Sequence, residues 1–208
     1  MTDAPILLSS GPLRRVGGAL AVDFVNTIDW RLRPKTEERL LSFDDLLAWA
    51  AGTGALDRKQ ARRLSARAKA EPAAAERVLQ RACRLREALF RLLLAEARRK
   101  SAARADLDLV NRWLAGSAPR DRLERVGSHL SWRQSDPATL ESVLDPVLWS
   151  AGDLLAVERA ASLKLCAAPG CGWLFLDASR KASRLWCSME SCGNRAKAQR
   201  HYRRLNRS

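Results

Sequence analysis

The chain has 208 residues, 37 of them Lys or Arg and 23 Asp or Glu, which gives a formal net charge of +14. Hydrophobic residues make up 47% and charged residues 29%, a balance that is typical of a folded globular protein and argues against a disordered or collagen-like chain. The longest apolar runs are far short of the ~20 residues that cross a bilayer, and no basic start with a following apolar stretch opens the sequence, so we expect a cytoplasmic protein with no membrane partner.

The first notable motif is a short apolar run near the N-terminus that contains Asp23, Asn26 and Thr27. Polar groups in such a run must be hydrogen-bonded if they are buried. Two interpretations are open. We favour helix capping or a structural network. The alternative is the lining of a pocket for a small-molecule effector, to which His129 and Trp132 would also contribute.

Residues 43–115 are predicted to be mainly helical. Ser42 and Asp57 have the side chains of N-cap residues, and Pro72 fits the first turn of a long helix to about Arg99. Apolar residues at helical spacing predict the core-facing stripe of this helix: Val78, Ala82, Leu85, Leu89, Leu92 and Leu93. We expect Cys83, beside this stripe, to be an ordinary buried thiol.

The following segments predict a small β component. A short helix over 106–114 precedes an alternating pattern over 122–133 that predicts a hairpin. Helix returns over 137–161 and continues into the C-terminal part without a Gly- or Ser-rich linker. We therefore expect a mainly α protein with a small β component (α+β), divided into a helical N-terminal domain at 1–160 and a second unit at 161–208.

Positive charge and cysteines are concentrated in the last quarter of the chain. Residues 160–208 contain 10 Lys and Arg against 2 Asp and Glu, a net charge of +8, whereas residues 1–159 carry a net charge of +6. Four of the five cysteines form two pairs with the same internal spacing, namely Cys166, Cys171, Cys187 and Cys192. In a reducing compartment this spacing indicates one structural Zn²⁺ with four thiolate ligands. The alternative is four buried or redox-paired cysteines.

The sequence around these cysteines predicts how the metal site is built. Short β-prone runs at 163–165 and 173–176 flank the first pair, which we interpret as a knuckle between two strands. Ser188 is a candidate N-cap for a helix that continues through 197–207. We expect Trp173, Phe175 and Trp186 to be core residues of a small zinc module, because such a module has few other large side chains.

The predicted C-terminal helix has two different faces. At about 100° per residue, Ala198, Tyr202 and Leu205 share a face that we expect to be packed. Cations fall on an arc of about 80° to 200° from Arg195. They are Lys197, Arg200, Arg203, Arg204 and Arg207. This face predicts a nucleic-acid contact, and a solvated charged tail is the alternative.

The C-terminal residues resemble the CGNR zinc-finger family of bacterial proteins. The similarity lies in the run CSMESCGNRAK at 187–197 and in FLDASR at 175–180. Near the N-terminus, LAVDFVNT at 20–27 and DDLLAW at 44–49 are similar to the ABATE domain that usually precedes this finger. The resemblance implies a treble-clef-like finger that binds DNA, and a transcription regulator whose ABATE part senses a ligand.

The resemblance also implies roles for individual residues of the signature. It implies that the four cysteines are the zinc ligands and that Gly193, Asn194 and Arg195 complete the motif. We expect Gly193 and Asn194 to support the ligand sulfurs with hydrogen bonds, and Arg195 to offset the thiolate charge, to pair with Asp177 or to reach a phosphate. Further candidate nucleic-acid contacts are Arg180, Lys181 and Arg184.

The sequence favours a regulator over an enzyme. The chain has two histidines, no nucleophile elbow and no phosphate-binding glycine loop, and a metal with four thiolate ligands has no open position. The leading hypothesis is a DNA-binding transcription regulator that acts on duplex DNA, for which a homodimer would enlarge the interface by binding two half-sites. The alternatives are an RNA-binding protein, or a protein-interaction or redox-sensor module in which zinc is purely structural.

Overall fold

A computed structural model of the protein describes residues 5–120, 122–133, 139–156 and 162–205. The N-terminal region begins with two small elements, the antiparallel strands β1 (Ile6–Leu8) and β2 (Gly11–Leu13). Next come the short helix α1 (Leu20–Val25) and a second ladder of β3 (Ile28–Asp29) with β4 (Glu37–Glu38). α1 is largely buried, so the apolar run that forms this helix is part of the core.

Helices form most of the N-terminal domain, as the sequence predicts. Their bounds are α2 (Phe43–Gly52), α3 (Arg58–Ala70), α4 (Pro72–Ala97) and α5 (Arg104–Gly116). The Ser42 hydroxyl accepts from the Asp45 amide, and the Asp57 carboxylate accepts from the Gln60 amide. Each is one half of a capping box, which satisfies backbone donors at the helix start.

The predicted hairpin is present, whereas the helix predicted after it is interrupted. β5 (Arg122–Val126) pairs with β6 (His129–Arg133) in antiparallel register. A 3₁₀ turn (Leu140–Leu144) precedes α6 (Asp145–Leu155). Pro146 explains the break, because proline fits only the first turn of a helix. Residues 137, 138 and 157–161 of the predicted helix lie outside the described residues.

The C-terminal part contains one hairpin and one long helix. β7 (Leu163–Leu165) pairs with β8 (Leu174–Leu176), as predicted. A single π-helical turn (Met189–Gly193) precedes α7 (Asn194–Leu205). Ser188 occupies the predicted N-cap position, but of the π-helical turn, and its side chain makes no capping hydrogen bond; α7 itself begins at Asn194, two residues after Cys192.

One hydrophobic core joins both parts of the chain. The predicted stripe of α4 is fully buried, from Val78 to Leu93, which confirms the interpretation of its spacing. Leu163, Leu174 and Leu176 from the β7–β8 hairpin belong to the same cluster as the α4 residues. Cys83 is half-buried beside them, and burial raises the pKa of its thiol.

A buried ion-pair network fastens β4 to the middle of α4. The Arg86 guanidinium donates to both carboxylate oxygens of Glu38, each at 2.6 Å, and to the Thr27 hydroxyl at 3.2 Å. Arg31 pairs with Glu87 at 2.6 Å. Burial of such charges is costly unless they are paired, so this network fixes the segment that follows β3.

None of the helices in the described part of the chain combines the length and apolarity needed to cross a bilayer.

Candidate metal centre and nucleic-acid interface

The four predicted ligands converge at one buried point. The Sγ atoms of Cys166, Cys171, Cys187 and Cys192 all lie within 4.8 Å of one another. Cys187 Sγ is 3.8 Å from Cys171 Sγ and 3.6 Å from Cys192 Sγ, and all four cysteines are free thiols. Tetrahedral zinc with bonds of about 2.3 Å places its sulfurs about 3.8 Å apart. The donor set and its dimensions therefore fit one structural zinc.

The first two ligands lie on the predicted knuckle between β7 and β8. The Cys166 amide donates to the Trp173 carbonyl at 2.8 Å and closes the turn. Gly172 has a φ of +74°, and a Cβ there would lie 2.6 Å from Arg31 Cβ, so only glycine allows this close approach. Phe175 is buried beneath the site, with Trp173 and Trp186 packed against it, as expected for core residues.

The third and fourth ligands are held by a loop and by the π-helical turn. The Cys187 amide donates to Cys166 Sγ at 3.3 Å, which is the hydrogen bond from backbone to sulfur that zinc ligands commonly receive. The prediction that Gly193 and Asn194 would make such bonds is wrong. The Gly193 amide donates to the Ser188 carbonyl at 3.0 Å, and Asn194 Nδ2 donates to the Glu190 carbonyl at 3.1 Å.

Gly193 and Asn194 lie where the π-helical turn meets α7. A Cβ at Gly193 would lie 2.7 Å from Met189 Sδ, but Met189 is 49% exposed and its flexible side chain can move away. The Asn194 side chain ties the start of α7 to the π-helical turn that carries Cys192.

Arg195 contacts the metal centre and an indole ring at the same time. Its guanidinium donates to Cys192 Sγ at 3.2 Å and lies 4.3 Å from the ring centroid of Trp30. Hydrogen bonds from Cys166 and the other two thiols, together with Arg195, hold the pKa of Cys192 below its usual range. Of the roles expected for Arg195, offsetting the thiolate charge is the one its position fits, since Asp177 pairs with Lys164 at 2.7 Å.

Trp30 belongs to the N-terminal domain and has unusual backbone geometry. Its φ is +58°, which is uncommon for a bulky residue. The Arg33 guanidinium lies 3.4 Å from the same ring centroid. The amides of Arg31 and Leu32 donate to the Cys171 and Gly170 carbonyls at 3.1 and 3.3 Å. We call Trp30–Arg33 the strap, because it binds the knuckle by backbone hydrogen bonds.

Asp23, Asn26 and Thr27 form structural contacts. Asp23 Oδ1 accepts from the Gly17 amide at 2.8 Å, and the Thr27 hydroxyl donates to the Phe24 carbonyl at 2.7 Å. Asn26 Nδ2 donates to the Leu174 carbonyl and Asn26 Oδ1 accepts from the Leu174 amide. The network interpretation fits these contacts. The pocket interpretation is wrong, because all three side chains are buried and already hydrogen-bonded to the backbone.

The two other candidates for that pocket, His129 and Trp132, have no described contact with these residues. Trp132 is 46% exposed on β6, and the Arg120 guanidinium lies 5.9 Å from its ring. His129 is in the same strand, but its side chain lies outside the described part of the structure. The hairpin therefore supplies no described contact to Asp23, Asn26 or Thr27.

Arg184 has a structural position, in contrast to the expectation that it contacts nucleic acid. Its guanidinium donates to the backbone carbonyls of Trp186, Val16 and Cys187 and lies 4.3 Å from the Phe175 ring. Its own amide donates to Asp177 at 2.9 Å. Lys164 and the Ser179 hydroxyl hold the pKa of Asp177 well below its usual range. Arg184 and Asp177 thus organise the loop that leads to Cys187.

The remaining predicted cations are exposed. Arg180 and Lys181 lie on the loop after β8, and Lys197 and Arg200 lie on α7. These four side chains make no ion pair with any residue that the structure describes. Arg203 and Arg204 belong to α7, but the structure does not describe their side chains. Arg207 lies outside the described residues.

The predicted packing face of α7 is wrong. Ala198 is exposed and Tyr202 is 66% exposed, whereas the Leu205 side chain is not described. Successive residues differ by about 100° around a helix, so the four exposed residues from Lys197 to Arg200 sample every side of it. Over residues Lys197–Arg200, α7 is therefore exposed on all sides.

Comparison with protein families agrees with this geometry. The family model described as "CGNR zinc finger" matches residues 162–205, which include the four cysteines and α7. The ABATE family model, described as "Putative stress-induced transcription regulator", matches residues 18–158. A comparison with curated proteins gave no match. Since the second match covers more than half of the chain and the order agrees, the chain belongs to the ABATE family and carries a CGNR zinc finger with one structural zinc.

Proposed function

We propose that this zinc-binding regulatory protein is a transcription regulator that binds duplex DNA through α7. The observation that carries the proposal is the exposure of the helix on all sides over Lys197–Arg200. A helix is about 10–12 Å across with its side chains, and the major groove of B-DNA is about 12 Å wide. A helix whose side chains are exposed along this stretch can enter such a groove without rearrangement of the protein.

Electrostatics support the same surface. Lys197 and Arg200 on α7, and Arg180 and Lys181 on the loop after β8, lack ion partners among the described residues. Unpaired cations on exposed elements attract phosphates, because each neutralised phosphate releases condensed counterions. Arg203, Arg204 and Arg207 would extend this surface by sequence position. Arg195 and Arg184 are omitted as primary contacts, because the metal centre and the knuckle engage them.

The geometry favours DNA over RNA. The major groove of an A-form helix is deep and narrow, so side chains and helices do not read it. An exposed basic helix therefore fits B-form duplex better. An RNA target, or a protein-interaction role in which zinc is purely structural, is an outcome that the competition experiment below distinguishes.

The N-terminal domain would act as the sensor. The strap and Asn26 connect it to the knuckle through several hydrogen bonds. A ligand that displaced the strap would therefore break hydrogen bonds to the knuckle that carries two zinc ligands. This role is non-enzymatic and cytoplasmic. A homodimer would place two copies of α7 on two half-sites, which sedimentation at several protein concentrations measures.

A double variant tests the interface. Lys197→Ala with Arg200→Ala is expected to weaken binding to duplex DNA by about tenfold or more and to reduce the salt slope by about 2, with zinc content unchanged. Lys59→Ala with Arg62→Ala, two exposed cations on α3, is the matched control. Fluorescence anisotropy with a duplex, an RNA hairpin as competitor and two salt concentrations gives the readout. Equal affinity of both double variants would contradict the proposal.

A further inference from the structure

A cleft in the N-terminal domain lies between α4, α5 and the start of α6. Its volume is about 750 Å³, within the range of roughly 300–1,000 Å³ that small-molecule sites occupy. α5 contributes Leu109, Arg112, Trp113 and Gly116, which share one helix face because they are three or four residues apart. Arg81 and Arg84 of α4 line the opposite wall.

The apolar surface of this cleft is held in place. Trp113 and Leu109 are half-buried and pack against the main core. The Arg81 guanidinium lies 4.8 Å from the Trp113 ring centroid and pairs with Glu141 at 2.8 Å. Arg81 therefore supports the indole, and its charge is neutralised by Glu141. Trp113 and Leu109 thus give the cleft one aromatic and one aliphatic lining side chain, with Arg81 over one face of the indole.

Two other cations of the cleft have no counter-ion among the described residues. Arg84 and Arg112 are exposed and make no hydrogen bond or ion pair with any residue in the described ranges. Of the acids that line the cleft, Glu141 pairs with Arg81, and Asp145 is 4% exposed and accepts from the Ala118 amide. Two guanidiniums without a described counter-ion at one concavity favour an anion.

From this combination we infer that the cleft binds a small organic acid with a flat apolar body, such as an aromatic carboxylate. The ring would lie on Trp113 and Leu109, and the carboxylate would accept hydrogen bonds from Arg84 or Arg112. The inference deepens the sensing part of the proposed function and rests on it for its biological meaning. Binding itself is independent of DNA, so the two can fail separately.

Gly116 supplies a variant that blocks the cleft without changing its charge. A Cβ at this position meets nothing within 4 Å, and the residue lies at the end of α5. Because Gly116 lines the cleft, a Leu side chain there would occupy open space at the cleft without a clash with the core. Gly116→Leu should preserve the fold and remove the room for a ring.

The test is calorimetric titration of the full-length zinc-replete protein, without DNA, with benzoate, salicylate and indole-3-acetate. At least one acid is expected to bind with a Kd of about 1 mM or tighter, and its neutral amide about tenfold more weakly. Arg84→Ala with Arg112→Ala should weaken the acid about tenfold or more, and Gly116→Leu should abolish binding. Arg77→Ala, an exposed cation of α4 outside the cleft, should leave it unchanged.

Each result decides the inference. If none of the three acids binds, or if the double variant and Gly116→Leu bind like the wild type, the cleft is not an organic-acid site. Acid binding by a protein that fails to bind DNA would support the cleft and contradict the regulator. DNA binding without acid binding would do the reverse.

Discussion

Asn26 and Leu174 exchange two hydrogen bonds, from Asn26 Nδ2 to the Leu174 carbonyl at 2.8 Å and from the Leu174 amide to Asn26 Oδ1 at 3.0 Å. The side chain thus acts as an additional strand partner for β8, and Leu174 shares the core of the helical domain. Since the zinc ligands Cys166 and Cys171 lie on the knuckle that β7 and β8 flank, this amide connects the metal centre to the N-terminal domain.

Replacement of Asn26 tests that connection. Asn26→Ala leaves a buried amide and a buried carbonyl of Leu174 without their partner, so we expect the free energy of unfolding to fall by about 2–3 kcal/mol. Asn111→Ala, at an exposed position on α5, should change it by less than about 0.5 kcal/mol. Urea denaturation at fixed zinc concentration measures both. Equal stability of the two variants would show that the Asn26–Leu174 hydrogen bonds do not contribute to the free energy of unfolding.

Removal of zinc should unfold the C-terminal part first. Cys166→Ser or treatment with a chelator is expected to abolish the single zinc and to lower the Tm, because metal binding and folding are coupled in such sites. Cys83→Ser should retain one zinc per chain, since Cys83 lies outside the cluster. Metal analysis and thermal unfolding provide the readout. A chelated protein with an unchanged Tm would contradict a structural metal.

Arg195 is expected to tune the zinc affinity. Arg195→Ala removes the hydrogen bond to Cys192 Sγ and the contact with Trp30, so zinc affinity should fall about 10- to 100-fold. Arg200→Ala, which removes a cation from the same helix without touching a ligand, should leave it unchanged. Competition with a chromophoric zinc chelator gives the dissociation constants. If the two variants lose zinc alike, the effect of Arg195 is general electrostatics.

The Arg86–Glu38 pair predicts a specific pH dependence. Burial raises the pKa of Glu38, but the hydrogen bonds and charge of Arg86 outweigh it and hold this pKa below its ordinary value of 4.5. A lowered pKa in the folded state stabilises the fold above the unfolded value, and that stabilisation is lost as pH falls through the folded pKa. Acidification below about pH 4.5 should therefore destabilise the protein.

Glu38→Gln isolates this contribution. The variant should lose about 2 kcal/mol at pH 7, less than for a fully buried pair because Glu38 is partly exposed, and its stability should fall less steeply in acid than that of the wild type. Glu76→Gln, at an exposed position of α4, is the control. Denaturation curves between pH 3 and pH 7, at roughly one-unit steps, compare the slopes. Parallel curves for the wild type and Glu38→Gln would contradict the assignment.

The features that could be predicted from the sequence are local. Ser42 and Asp57 cap helices because the capping interaction spans three residues, and the α4 stripe follows from helical period alone. The cysteine spacing predicts the ligand set because two pairs with the same internal spacing leave few other arrangements. Each of these patterns lies within a short stretch of the sequence.

The features that could not be predicted depend on distant partners. Nothing in the sequence near Asn26 indicates that it pairs with a strand 148 residues away. Arg86 lies on an otherwise apolar face, and its burial makes sense only with Glu38 beside it. Arg184 looks like a surface cation, yet one of the carbonyls to which it donates, that of Val16, lies 168 residues away along the chain. Exposure of α7 on every side is likewise a property of the assembled fold.

The most direct test of the central claim is selection of duplex DNA from a random pool by the zinc-replete full-length protein at two salt concentrations, with RNA as competitor. The account predicts an enriched sequence motif that survives the higher salt, and its loss in Lys197→Ala with Arg200→Ala. Binding without an enriched motif that disappears as salt rises, or preferential retention of RNA, would contradict sequence-specific DNA recognition by α7.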